Sequence, residues 1–270
     1  TNVYASGPIV KDKLFFFAMY EARGSSPRNT SDDGTTFTSN GAHNGFWGAT
    51  IDWHINDSNL LSLMAFSDKN KNTGDVYDYT FDTRTLGAKT NEIYTDSGGR
   101  NWALTYTNYL TDDLSMKLLY GSNKRNAFTR SLSDIECNRV VAETKVTNAV
   151  PVPGNVPLGC TTNSTVEKRD DTRKEARADF EWKLGDHLVR FGYDHEKDTS
   201  IYQRHYTGPG AFYYNIYYAT PGSTINNTGG VLPAGYTAYV RARRYEIAGT
   251  FQTTNSAYYL EDSWQITPTF

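Results

Sequence analysis

Apolar and polar residues alternate strictly in several segments of this chain. Residues 47–55 are the clearest short example. Their odd positions are Trp47, Ala49, Ile51, Trp53 and Ile55, and their even positions include Gly48, Thr50, Asp52 and His54. Because successive side chains of a β-strand point to opposite faces, a period of two predicts a strand with one apolar face and one polar face.

The alternation is sharpest in residues 175–184. One parity holds Ala176, Ala178, Phe180, Trp182 and Leu184, and the other holds Glu175, Arg177, Asp179, Glu181 and Lys183. Five charged residues on one face cannot contact hydrocarbon, so we expect them to face a lumen while the apolar set faces lipid. Residues 102–107, 114–121 and 187–195 repeat the pattern. Residues 60–64 are apolar on both parities, so their faces cannot be assigned.

Short polar turns and long polar segments alternate along the chain. The turns are predicted at 11–13, 56–59, 111–113 and 185–187, with a fifth near 267–268, and the long segments at 22–43, 69–99, 128–173 and 204–256. This asymmetry is typical of outer-membrane β-barrels, whose two rims face different compartments. We therefore predict an all-β fold, an antiparallel transmembrane β-barrel segment of about nine strands with short periplasmic turns and long extracellular loops.

Composition supports a membrane wall and argues against some other classes. The chain has 20 Tyr, 13 Phe and 5 Trp, and barrels place aromatic residues at both membrane interfaces. The longest apolar run, at 14–20, is far shorter than the roughly 20 residues that a spanning helix needs. A net charge of −3 gives no electrostatic basis for nucleic-acid binding.

Two motifs resemble those of a known family. SGPIVKDKLFFF at residues 6–17 resembles a segment found early in the barrel of Oar-like TonB-dependent receptors, and AYYLEDSWQIT at 257–267 is similar to a strand of the same receptors. The resemblance implies a barrel of roughly 22 strands in the outer membrane of a Gram-negative bacterium. It also implies a plug domain, energy from the TonB–ExbB–ExbD complex, and uptake of a small-molecule, glycan or peptide ligand.

We expect residues 1–270 to be an internal part of the N-terminal half of such a barrel domain, without the plug. The first 13 residues have no signal-peptide pattern, and the chain begins within what reads as a strand. The alternative is a complete small outer-membrane barrel acting as an adhesin or surface hydrolase. That alternative needs an even number of strands and a catalytic group at the rim.

No catalytic motif is present, so we expect no enzyme activity and no cofactor. Asp75, Asp78 and Asp82 could offer oxygen ligands to calcium, but we interpret them as solvated acids, and His54 and His187 as polar residues at the rim. Cys137 and Cys160 fall in the same long segment of a protein that crosses an oxidising compartment. We predict that they form a disulfide.

Two surfaces are candidate ligand sites. The fourth long segment is rich in aromatic residues with amide neighbours, which suit stacking on a sugar or chelate; the aromatic candidates are Phe212, Tyr213, Tyr214, Tyr217, Tyr218 and Tyr236. The alternative is that these rings pack against one another in a hairpin. The second surface is the charged row at 175–183, which would line the pathway or hold the plug. Its mixed signs favour mutual ion pairing.

Overall fold

The computed structural model describes residues 1–32, 34–131, 137–143, 156–158, 165–226 and 228–267. Within these ranges no helix is long and apolar enough to cross a membrane. The strands are β1 (Asn2–Val10), β2 (Leu14–Ser25), β3 (Arg28–Thr30), β4 (Thr36–Asn56), β5 (Asn59–Ser67), β6 (Asn70–Thr80), β7 (Thr85–Gly98), β8 (Arg100–Tyr109), β9 (Leu114–Ser131), β10 (Arg139–Glu143), β11 (Val156–Pro157), β12 (Thr165–Leu184), β13 (His187–Tyr206), β14 (Phe212–Tyr218), β15 (Ala238–Arg244) and β16 (Glu246–Trp264).

Nine antiparallel strands form the main wall, in the order β1-β2-β4-β5-β8-β9-β12-β13-β16. The tight turns join neighbouring strands at the predicted places, near residues 12, 57, 112 and 186. The predicted all-β antiparallel fold is therefore confirmed. Among the described residues β1 pairs only with β2, and β16 pairs only with β13, so the wall is open at both edges.

The apolar faces of these strands join into one continuous surface. Cross-strand pairing places one residue from each of the seven inner strands in a single row: Phe16, Ile51, Leu63, Leu104, Tyr120, Ala176 and His195. Large side chains on this face stay exposed, for example Trp53 at 45% and Trp182 at 42%. Such exposure suits contact with lipid, since a soluble monomer rarely leaves an apolar surface of this size uncovered.

Pairing also assigns the faces of residues 60–64, which the sequence left open. Leu61 and Leu63 pair with Trp53 and Ile51, so they lie on the apolar face. Leu60 and Met64 lie on the polar face. The polar face of the wall therefore includes two apolar residues of β5, Leu60 and Met64.

The first two long segments are mostly strand rather than loop, which corrects the sequence-based expectation. The strand β6 keeps the register of β5 against β4 across a break at 68–69, and β7 keeps the register of β8 against β9 across Gly99. Each pair is thus one long strand that rises past the membrane. Outside lipid both faces of a strand contact water, so polar residues on both parities do not exclude a strand.

The third and fourth long segments contribute a second, smaller sheet. Its order is β11-β10-β14-β15, with β10 parallel to β14. Val141, Ala142 and Asn215 are almost fully buried there. This packing gives the predicted loops a small core of their own.

Candidate functional site

The predicted lumen row lies on the polar face of β12, opposite the apolar set, and most of it takes part in a charged network with β13 and β16. Arg190 joins three strands, because its Nε donates to Glu181 Oε2 at 2.8 Å and its Nη1 to Glu261 Oε1 at 3.3 Å. Arg177 Nε donates to Asp179 Oδ1 at 2.9 Å. Lys183 lies at the turn end of the row, where it pairs with Leu188.

A glycine allows this network to cross β13. Gly192 pairs with Asp179 on one side and with Tyr259 on the other. The Tyr259 ring lies over Gly192, and its hydroxyl donates to Asp179 Oδ1 at 2.6 Å. A Cβ at Gly192 would lie 2.5 Å from Tyr259 Cε1 and 2.6 Å from the carbonyl oxygen of Ala178. The absence of a side chain at Gly192 therefore allows Tyr259 of β16 to reach Asp179 of β12.

A group of acidic side chains lies on the same polar face, farther from the turn at 185–187 than the network around Arg190. Glu175, Asp194 and Glu196 bring carboxylate oxygens within 4.8 Å of one another. Arg173 forms ion pairs with Glu196 and, at 3.6 Å, with Glu175. Three carboxylates and one guanidinium give this group a net negative charge. Each ion pair is weak, because these side chains are partly exposed to solvent.

The aromatic candidates are placed by the small sheet. All but one lie in β14, which has β10 on one side and β15 on the other. The Tyr217 ring stacks on Tyr239 at 5.1 Å, and Phe212 stacks on Tyr214 at 6.0 Å. Tyr236 lies outside this sheet and is 62% exposed. Much of the aromatic surface is thus used in contacts between neighbouring rings.

Two arginines join this cluster that the sequence analysis missed. The guanidinium groups of Arg139 and Arg243 lie 5.8 Å and 4.9 Å from the centre of the Tyr213 ring. Each has a buried Nε without a hydrogen-bond partner among the described residues. The two residues meet only because β10 and β15 flank β14, and no local motif signals that arrangement. The Tyr213 ring is thus in cation–π contact with both guanidinium groups.

A polar cavity of about 740 Å³ lies where the long strands break. Its lining comes from β2, β4, β9 and the breaks at 68–69 and 98–99, and includes Glu21, Arg23, Asn44, Asp68, Lys69 and Arg125. Asn44 holds one side of the cavity in place, because its Oδ1 accepts a hydrogen bond from the backbone N–H of Lys71 at 2.6 Å. Arg23 pairs with Glu21 at 2.7 Å. The sequence signal that could have located this cavity is the Gly98-Gly99 pair inside a strand.

Three of the residues weighed as metal ligands, Asp75, His54 and His187, make contacts within the protein. Asp75 in β6 pairs with Lys89 at 2.6 Å, and Glu92 contacts the same ammonium at 2.8 Å. The hydrogen bond that the Lys89 ammonium donates to Asp75, followed by the one that it donates to Glu92, raises the pKa of Lys89 above its usual value. His187 Nδ1 lies 2.8 Å from Asp262 Oδ2, and the His54 ring lies 5.4 Å from Phe15.

The structure describes only one of the two cysteines of the predicted disulfide. Cys137 is disulfide-bonded, and no free thiol occurs among the residues described. Cys160 lies outside the described residues. Its pairing with Cys137 stays a prediction.

Comparison with known proteins agrees with this architecture. Residues 25–270 match the model of the family described as "Outer membrane beta barrel domain". No curated protein sequence matches the chain. Among solved structures, the outer membrane transporter YddB from Escherichia coli is similar with a TM-score of 0.57 and 12% identity, over 97% of this chain. The chain spans 31% of the length of that solved protein.

Proposed function

This chain belongs to the outer membrane beta barrel domain family, and from that premise we propose that it forms part of the wall of a ligand transporter in the outer membrane. The observation that carries the proposal is the contrast between the two faces of the wall. One face is continuously apolar, and the other holds the network around Arg190. A polar lumen bounded by a lipid-facing surface is what a transport pathway requires.

Likeness to a transporter supports the same assignment. The wall of YddB is similar to these strands over nearly the whole chain, and YddB is described as an outer membrane transporter. The motifs at 6–17 and 257–267 narrow the proposal to an Oar-like TonB-dependent receptor with a plug domain. In such a receptor the charged network would contact the plug, because mixed charges on a lumen wall offer ion pairs to a domain seated inside.

The extracellular ends would meet the ligand first. We assign that contact to Tyr213 with Arg139 and Arg243, and to the exposed Tyr236. The polar cavity beside Asn44 lies where the long strands break, and we assign it to the path from this surface to the lumen. A ligand with an anionic or aromatic group fits this sequence of surfaces.

Energised uptake is tested by growth and accumulation assays with the full-length protein. Cells that carry or lack its gene are supplied with labelled ferric siderophores, cobalamin, oligosaccharides and peptides, in backgrounds with and without TonB. We expect accumulation of one of these classes to require both the gene and TonB. Accumulation that needs the gene but persists without TonB would replace active transport with a passive pore.

The orientation of the wall gives a separate prediction. A cysteine introduced at Thr35 or Asn226 should react with an impermeant maleimide on intact cells, because the long ends are extracellular in this proposal. Asp57→Cys, in a short turn, should react only after the outer membrane is opened. The reverse labelling pattern would contradict the orientation.

The small-barrel alternative, an adhesin or surface hydrolase, gains no support from the described residues. It requires the wall to close, whereas β1 and β16 are each paired on one side only. We accordingly propose a protein without enzyme activity.

A further inference from the structure

Four basic residues lie on the lipid-side face of the wall, just above its apolar surface. Lys174 in β12 pairs directly with Lys197 in β13. Lys124 lies two residues beyond Ser122, the β9 partner of Lys174. Arg100 in β8 lies two residues beyond Trp102 on the same face. Because strand faces alternate, all four share the face of Tyr120 and Ala176 and not that of the charged lumen network.

These four side chains have no acidic partner among the residues that the structure describes. All four are exposed, and none takes part in any of the ion pairs, whereas Arg173 and Arg177 on the opposite face do. On their own face, the nearest acid along β12 is Asp170, which already pairs with Lys168 at 3.0 Å. None of these four positive charges is therefore neutralised by an ion pair among the described residues.

Such an arrangement is costly unless something else supplies negative charge. Like charges directly opposite each other across two strands, as in Lys174 and Lys197, destabilise a sheet. The row begins where the apolar face ends, which is the depth of the lipid headgroups. Lysine and arginine at that depth reach toward anionic headgroups with their long side chains.

We propose that Arg100, Lys124, Lys174 and Lys197 bind the phosphate groups of the glycolipid, lipid A, in the outer leaflet. The proposal rests on the proposed orientation, in which the long ends face the cell surface. Phosphates offer several charge-assisted hydrogen bonds to neighbouring cations, and four cations along one rim can hold a doubly phosphorylated headgroup. The charge also defines how far the wall sinks into the membrane.

The test measures lipid binding to the purified full-length protein in detergent, by native mass spectrometry. The probes are bisphosphorylated lipid A, dephosphorylated lipid A and phosphatidylglycerol. The outer variant is K174Q/K197Q. The matched control, K117Q/R125Q, also removes two positive charges but on the opposite face. Heat-dependent electrophoretic migration verifies that each variant is folded, and K174R/K197R tests whether charge alone suffices.

We expect the outer variant to bind bisphosphorylated lipid A about tenfold more weakly than the parent protein. The control and K174R/K197R should bind it normally, and dephosphorylated lipid A should not distinguish the proteins. Equal losses in the outer variant and the control would overturn the proposal. Equal binding of phosphatidylglycerol would overturn the assignment to the glycolipid. This assay needs neither transport nor cellular orientation, so its failure is distinct from failure of the proposed uptake function.

Discussion

Replacing Gly99 by alanine should prevent normal assembly of the upper wall. A Cβ at this position would overlap the carbonyl oxygen of Lys124 in the neighbouring strand. Gly99 is also held on its other side, where its N–H donates to Asp68 Oδ1 at 2.8 Å and its carbonyl accepts from Ser67 Oγ at 2.9 Å. Neighbouring backbone on one side and these two side-chain hydrogen bonds on the other restrict relaxation, so we expect a loss of roughly 3 kcal/mol or more.

The matched control for this variant is Gly41→Ala, since a Cβ at Gly41 meets nothing within 4 Å. Both full-length variants are refolded into detergent, and the fraction that migrates as the folded form on unheated electrophoresis is measured across urea concentrations. The Gly99 variant should lose the folded form at much lower urea than the parent, and the control should match the parent. Identical midpoints for Gly99→Ala and the parent would show that the two strands do not approach as closely as described.

The second large effect is expected at Gly192. Substitution by valine would push the Tyr259 ring off β13 and press on the Ala178 carbonyl, so β16 would lose its link to Asp179 on β12. Overpacking of this kind costs about 1–3 kcal/mol, and loss of the hydrogen bond to a carboxylate adds about 1.5–3 kcal/mol. Thermal unfolding followed by circular dichroism should therefore show a clearly lower midpoint.

Two further variants separate the contributions at this crossing. Tyr259→Phe removes only the hydroxyl and should cause only the part of the loss that comes from the hydrogen bond to Asp179. Gly7→Val places the same side chain on a strand where a Cβ at the glycine meets nothing, and should leave the midpoint nearly unchanged. If Gly192→Val were no more harmful than Gly7→Val, the ring would not lie over Gly192 in the folded protein.

The sequence predicts the membrane part of this wall well because lipid imposes a rule that residues must follow. Only strands with one apolar face can span, so the alternation at 47–55 and 175–184 reports both the strand and its faces. The rule stops at the membrane surface. Beyond it, β6 and β7 carry polar residues on both parities and were expected as loop, although backbone pairing continues there with irregularities between β6 and β7.

The candidate ligand surface is harder to predict because it depends on contacts between distant segments. Arg139 and Arg243 meet at Tyr213 through the parallel pairing of β10 with β14. Neither arginine has a distinguishing neighbour in sequence. The lumen row was readable because all five residues lie in one strand, but its partners Arg190 and Glu261 come from other strands.

The constant register of β6 against β4 limits how this protein can change in length during evolution. Inserting one residue within β6 would move every later side chain of that strand to the opposite face. Such an insertion would also shift all of its partners in β4 and β7. Insertions and deletions should therefore accumulate at the turn between β6 and β7, around residues 81–84, where they alter no pairing. Related sequences should vary in length at that tip and keep constant spacing between residues 36 and 78.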